Sequence, residues 1–109
     1  MLRASAAFYF LRRAIRHLCA EGVRQFVDLG SGIPTVGNVH EVTEEAGVDA
    51  TVVYVDVDPV AVAHSRAILA DRPGTAVVAA DLRRPDLVLA DPTVRAVLDL
   101  SRPVAFLLV

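Results

Sequence analysis

Early in the chain, Leu11, Ile15 and Leu18 recur at helical spacing, with Phe8 one turn before them. Arg12, Arg13 and Arg16 fall on the other side and Gly22 supplies a stop, so a helix is predicted up to that glycine. The period then shortens. Gln25 to Leu29 is an apolar run bounded by turn formers, and it reads as a strand. Gly30-Ser31-Gly32-Ile33-Pro34-Thr35 reads as a loop. From Asn38 to Ala46 a helix returns: Asn38 caps it, Glu41 completes a capping box, Val39 and Val42 supply part of its apolar face, and Gly47 ends it. Thr51 to Val55 is nearly continuous and β-branched, as a strand buried on both faces must be.

Asp58-Pro59 places a capping side chain before a proline at the first helical position. The helix it opens runs to about Ala70, with Val60, Ala63, Ala67 and Ile68 expected to face inward. Arg72-Pro73-Gly74 breaks the chain, and Thr75 to Ala80 is a third strand. Asp81 to Pro85 is a loop. A further helix, or a pair of helical turns, covers Asp86 to Leu100, with Asp91-Pro92 repeating the start signal. After the turn at Ser101-Arg102-Pro103, Val104 to Val109 is a fourth strand.

Strands alternating with helices imply βαβ units with right-handed crossovers, hence an α/β protein with a doubly wound parallel sheet and helices on both faces. Residues 1–109 are expected to form one partial domain, with a helix in 1–24 and βαβ units in 25–109. The chain stops at an apolar strand, and a buried parallel strand needs neighbours on both sides. The expectation is therefore a piece of a longer protein, whose exposed sheet edge would favour self-association.

Composition narrows the function. Of 109 residues, 54% are hydrophobic and 22% charged, which argues against disorder. A net charge of −2 gives no footprint for nucleic acid. All 11 basic residues are arginine, so Schiff-base chemistry and the phosphate-cradling lysine of a P-loop are excluded. Cys19 is a lone cysteine, which can form neither an internal disulfide nor a cysteine-based zinc site; a reducing cytoplasm is the expected location. No residues have metal-ligand spacing. Met1 to Ala20 is arginine-rich and acid-free like a transit peptide, but a helix packed on the sheet is the preferred reading. The apolar run from Ala4 to Leu11 is far too short to span a membrane.

Three places carry chemistry. Asp28-Leu29-Gly30-Ser31-Gly32 ends the first strand, where open α/β sheets bind ligands, and Gly30 and Gly32 allow close backbone approach. A dinucleotide loop would read G-x-G-x-x-G, but the third position here is Thr35 and the helix starts only near Asn38. That favours a ligand without a diphosphate. Asp56 ends the second strand, 24 residues after Gly32, where a carboxylate can accept from both hydroxyls of an adenosine ribose. Asp58 has a better explanation as the helix cap. Asp81-Leu82 follows the third strand, beside the expected adenine: Asp81 can accept from the exocyclic amine and Leu82 can cover the ring. The competing reading of Asp81 is a turn with Arg83 and Arg84. His40, in the first turn after the glycine loop, is within reach of the ligand in principle, although a lone histidine is more often structural.

These residues resemble the nucleoside-binding motifs of class I S-adenosylmethionine-dependent methyltransferases. More narrowly, Phe8-Leu11-Arg12-Arg13-Ala14, Gly32-Ile33-Pro34-Thr35, Asn38-Val39-His40-Glu41-Val42 and Val53-Tyr54-Val55-Asp56 resemble a bacterial family of S-adenosyl methyltransferases whose substrate is generally unassigned. The resemblance implies a Rossmann-like sheet of seven strands, of which this chain is the N-terminal half with about four. It implies Gly30, Ser31 and Gly32 at the methionine part, Asp56 at the ribose and Asp81 at the adenine. It also implies that family members continue beyond both ends of this sequence. The methyl acceptor and any catalytic base would then lie mostly outside it, so no catalytic residue is named. The function expected is the cofactor-binding portion of a methyltransferase. The alternatives are a fragment of an NAD-dependent oxidoreductase or epimerase, and a non-catalytic truncated remnant.

Overall fold

In the computed structural model, residues 6–29, 39–81 and 83–108 are described. Gly30, Ser31, Gly32, the expected cap Asn38 and Leu82 lie outside them, as does the side chain of Phe8. Nine elements run in the order α1 (Ala6–Ala20), β1 (Gln25–Leu29), α2 (Val39–Glu45), β2 (Thr51–Asp56), α3 (Pro59–Leu69), β3 (Thr75–Ala79), α4 (Pro85–Ala90), α5 (Pro92–Val97) and β4 (Ala105–Leu108). The region predicted as one helix or two turns is two short helices. Asp91 leaves the helical conformation at ψ 131° to end α4, and its carboxylate caps α5 by accepting from the Thr93 N–H at 2.8 Å.

All strand pairs are parallel, in the order β3-β2-β1-β4. The period-2 alternation of a pleated strand divides the core in two. On one face Phe26, Val52, Tyr54, Val77 and Leu107 pack against Ile15 and Cys19 of α1, Val39 and Val42 of α2, and Val62 and Leu69 of α3. On the other, Val27, Leu29, Val53, Val55 and Val78 meet Val88 of α4, Val94 of α5 and Leu98. The central strands are therefore covered on both sides, which is why their sequences are continuously apolar. Each fully buried valine contributes about 1.5 kcal/mol or more through removal from water.

Two helices end in the same way. At Gly22 (φ 94°) the Val23 N–H donates to Leu18 O and the Gly22 N–H to Cys19 O. At Gly47 (φ 75°) Val48 donates to Thr43 O and Gly47 to Glu44 O. This paired bonding needs a left-handed residue, which glycine adopts without strain, and it turns the chain directly into the next strand. Gln25, buried at the start of β1, ties down the far end of the sheet: its Nε2 donates to Asp99 O at 2.9 Å and its Oε1 accepts the Asp99 N–H at 2.5 Å.

One expectation is corrected. In α3 the buried residues are Val62, Ser65 and Leu69, while Val60 is 75% and Ile68 46% exposed. Apolar side chains surround most of this helix, so no single stripe marks its inner face. Ser65 interrupts the true inner row and hides it. With that face inward, the neighbouring Arg66 Nε donates to Val77 O at 3.0 Å, covering a carbonyl of β3.

Candidate functional site

The strand order places the reversal between β1 and β4. From β1 the chain moves outward through β2 to β3, then crosses back to lay β4 on the other side of β1. Ligands of open α/β sheets sit outside the carboxyl ends of the strands at such a reversal. Leu29 ends β1 there, in register with Val55, and the Gly30-Ser31-Gly32 segment follows it directly in sequence.

Asp56 ends β2 at the same edge, in register with Ala79 of β3. Its main-chain carbonyl accepts the Ala80 N–H at 3.0 Å, so the ladder runs one residue past β3 and delivers Asp81 beside it. The structure thus brings Asp56 and Asp81 together on adjacent strand ends, as expected. Asp56 is half-buried, and its Oδ1 accepts the Asp58 N–H at 2.9 Å. Among the described residues no side chain pairs with it. Asp58 is the helix cap: its Oδ1 accepts from the Val60 N–H at 2.9 Å.

Asp81 is held differently. Arg83 grips it with a fork, Nε on Oδ1 at 3.1 Å and Nη2 on Oδ2 at 3.0 Å, and the Arg83 N–H adds a third bond to Oδ1 at 3.0 Å. These bonds, led by the guanidinium, hold the carboxyl down at about 2. The turn with both arginines is present: Arg83 grips the carboxylate and the Arg84 N–H donates to the Asp81 main-chain O at 3.0 Å, while the Arg84 guanidinium pairs with Asp86. Each carboxylate oxygen has two lone pairs, so a partner on the outer side of Asp81 is still chemically possible.

Sequence reasoning missed two residues. Val57, directly after Asp56 in sequence, is an apolar side chain left 64% exposed at this edge. Tyr54 lies one pleat before Asp56 and is buried, with its hydroxyl on His40. A phenol in an otherwise aliphatic strand was the available signal, because a buried tyrosine hydroxyl needs a partner. His40 itself is buried and held by Tyr54. Burial, and next the charge of Arg72, push its pKa below the ordinary value. Burial pushes the Tyr54 phenol up, and the charge of Asp28 adds to this. Asp28, the first residue of the glycine-loop motif, is 2% exposed and sits in register with Tyr54 on the neighbouring strand.

Four parallel strands in this order, wrapped by helices on both faces, form a Rossmann-like α/β half-sheet. A solved structure from Thermobifida fusca, provisionally named a methyltransferase, shares 52% identity at a TM-score of 0.81, covering 88% of this chain and 36% of that one. A DUF574 family protein from Streptomyces avermitilis shares 46% identity at a TM-score of 0.75, covering 87% of this chain and 37% of that one. The chain thus spans little more than a third of the length of either structure. No curated protein matches it. Residues 2–109 match the family described as S-adenosyl methyltransferase, and the chain belongs to that family. Among the described residues, no helix is long and apolar enough to cross a membrane.

Proposed function

We propose that this chain is the cofactor-binding portion of an S-adenosylmethionine-dependent methyltransferase, forming a single partial domain over residues 1–109. The observation that carries this reading is the pairing of Asp56 and Asp81 at the carboxyl ends of neighbouring strands, beside the strand that leads into the glycine segment. When bound, the cofactor supplies an electrophilic methyl group on a sulfonium.

The residues divide the binding task. Asp56 accepts hydrogen bonds from the two ribose hydroxyls; charge-assisted bonds of this kind are about twice as strong as neutral ones. Val57 lies against the adenine face, with Leu82 on the same ring, and Asp81 accepts from the exocyclic amine. Gly30, Ser31 and Gly32 admit the methionine part close to the backbone. Catalysis then rests on holding the methyl group in line with its acceptor and excluding water. The same reading puts the protein in the cytoplasm.

Binding of NAD fits less well. A diphosphate is held by a helix N-terminus placed directly behind the glycines. Here Thr35 stands where the third glycine of a dinucleotide loop belongs, and the sequence puts the next helix start only near Asn38.

Replacement Asp56→Ala tests the reading. Calorimetric affinity for S-adenosylhomocysteine should fall at least tenfold while the circular dichroism spectrum is unchanged, because the side chain is half-buried and contributes to no core cluster. Unchanged affinity would show that the ribose lies elsewhere.

A further inference from the structure

Asp81 is held by its main chain and by its side chain at once. The Ala80 N–H donates to Asp56 O at 3.0 Å, which ties the residue before it to the end of β2. Asp81 O accepts the Arg84 N–H at 3.0 Å, closing a turn. Within that turn Arg83 folds back: its N–H and Nε reach Oδ1 at 3.0 and 3.1 Å, and its Nη2 reaches Oδ2 at 3.0 Å. The Arg84 guanidinium is engaged by Asp86 at 3.3 and 3.2 Å, so it does not compete for Asp81.

A fork fixes direction as well as distance. Its two parallel N–H···O bonds bring guanidinium and carboxylate towards one plane, which sets the terminal torsion of the aspartate. Stability does not account for this arrangement. The side chains of Arg83 and Asp81 are 88% and 41% exposed, and such surface pairs contribute little to folding. Ionisation does not account for it either, because an ordinary aspartate carboxyl, at 3.8, is already charged at neutral pH. What the fork adds is orientation, on the strand end beside Asp56.

We propose that Arg83 is a positioning residue for base recognition: its fork aims the Asp81 carboxylate at the exocyclic amine of the adenine. This rests on the function proposed above, in which Asp81 faces that amine. Arg83 acts through Asp81 and need not touch the ligand. The consequence is specificity. An ionised carboxylate accepts hydrogen bonds and donates none. It attracts an amine N–H and repels the carbonyl oxygen that hypoxanthine carries at the same position. A carboxylate free to turn can swing its oxygens away from that carbonyl and let water between them. One locked in the fork cannot, so Arg83 sharpens the choice of adenine over hypoxanthine.

The test compares S-adenosylhomocysteine with S-inosylhomocysteine, which has a carbonyl oxygen in place of the amine, on the full 109-residue chain by calorimetry at pH 7.5. The parent chain should prefer the adenosyl ligand by roughly tenfold or more, the worth of a hydrogen bond to a charged group. Arg83→Ala should lower that preference by about threefold or more, as the loss of one immobilised side chain does. Arg83→Lys, which keeps the charge and loses the fork, should lower it as much. Once Asp81→Ala has removed the carboxylate, adding Arg83→Ala should leave the preference unchanged. The turn is exposed, so the variants should keep the circular dichroism spectrum of the parent; if Arg83→Ala does not, Arg83→Lys decides. A preference unchanged in Arg83→Ala or fully kept in Arg83→Lys overturns the proposal, and so does an equal effect of Arg83→Ala with and without Asp81. Tighter binding of S-adenosylhomocysteine to Arg83→Ala overturns it too, since the arginine would then compete with the amine. A parent that binds both ligands equally puts the base away from Asp81 and sinks the proposal while leaving the cofactor reading in place. A parent that binds neither refutes that reading as well.

Discussion

Asp56 and Asp81 carry the same functional group at neighbouring strand ends, yet their surroundings differ. Asp56 accepts a main-chain N–H two residues on, whereas Asp81 sits in the fork of Arg83. The carboxyl of Asp81 is held at about 2 against an ordinary 3.8, so it is ionised at any physiological pH and acts only as an acceptor. A depressed folded pKa stabilises the fold fully above the unfolded value, and that contribution is lost as pH falls from 3.8 towards 2. Replacement Arg83→Ala should move the Asp81 titration, followed by carboxyl-carbon NMR, upward towards its ordinary value. The pair is solvent-exposed, so overall stability should hardly change. A midpoint that stays put would mean that Arg83 is not the cause. Both acids were legible in the sequence because each directly follows a β-branched or small apolar run, the position at which a parallel strand ends. The Tyr54–His40 contact was not, since 14 residues separate its members and neither pattern nor spacing says which side of a strand meets which turn of a helix.

Among the elements, the clearest sequence signals are stop and start residues with a single physical use. Gly22 and Gly47 take the left-handed conformation that ends α1 and α2, and Asp58 and Asp91 cap α3 and α5 ahead of prolines. Asp91 has the larger duty. It ends α4 and starts α5, accepting from both the Thr93 and Val94 N–H groups. Asp91→Ala should lower the stability of the chain by about 1 kcal/mol in urea titrations, the usual value of a side-chain cap. No change would mean that the proline at the first position suffices alone. The inner face of α3 was the least legible feature. Its row of Val62, Ser65 and Leu69 is broken by a serine, while Val60, Ala67 and Ile68 offer an apolar surface that stays in water. Packing against β3, rather than the helix's own pattern, chooses between them.

At the scale of the whole molecule, the order β3-β2-β1-β4 decides what meets what. It sets the ends of β2 and β3 next to each other and puts β1, with the glycine segment after it, at the reversal. Alternation of strand and helix made the parallel sheet legible, and the right-handed crossover rule supplied its two-faced cover. Phe106 shows where this cover thins: on the face of α4 and α5 it remains 41% exposed, and β4 bonds to β1 alone among the described strands. The chain spans 36 and 37% of the lengths of its two solved relatives. Under the proposed function, the 109 residues recognise an adenosine that bears no diphosphate. Calorimetric titration of the chain with S-adenosylhomocysteine and, separately, with NAD measures this directly. Saturable one-to-one binding of the first and none of the second is the predicted result; binding of NAD without S-adenosylhomocysteine would contradict it.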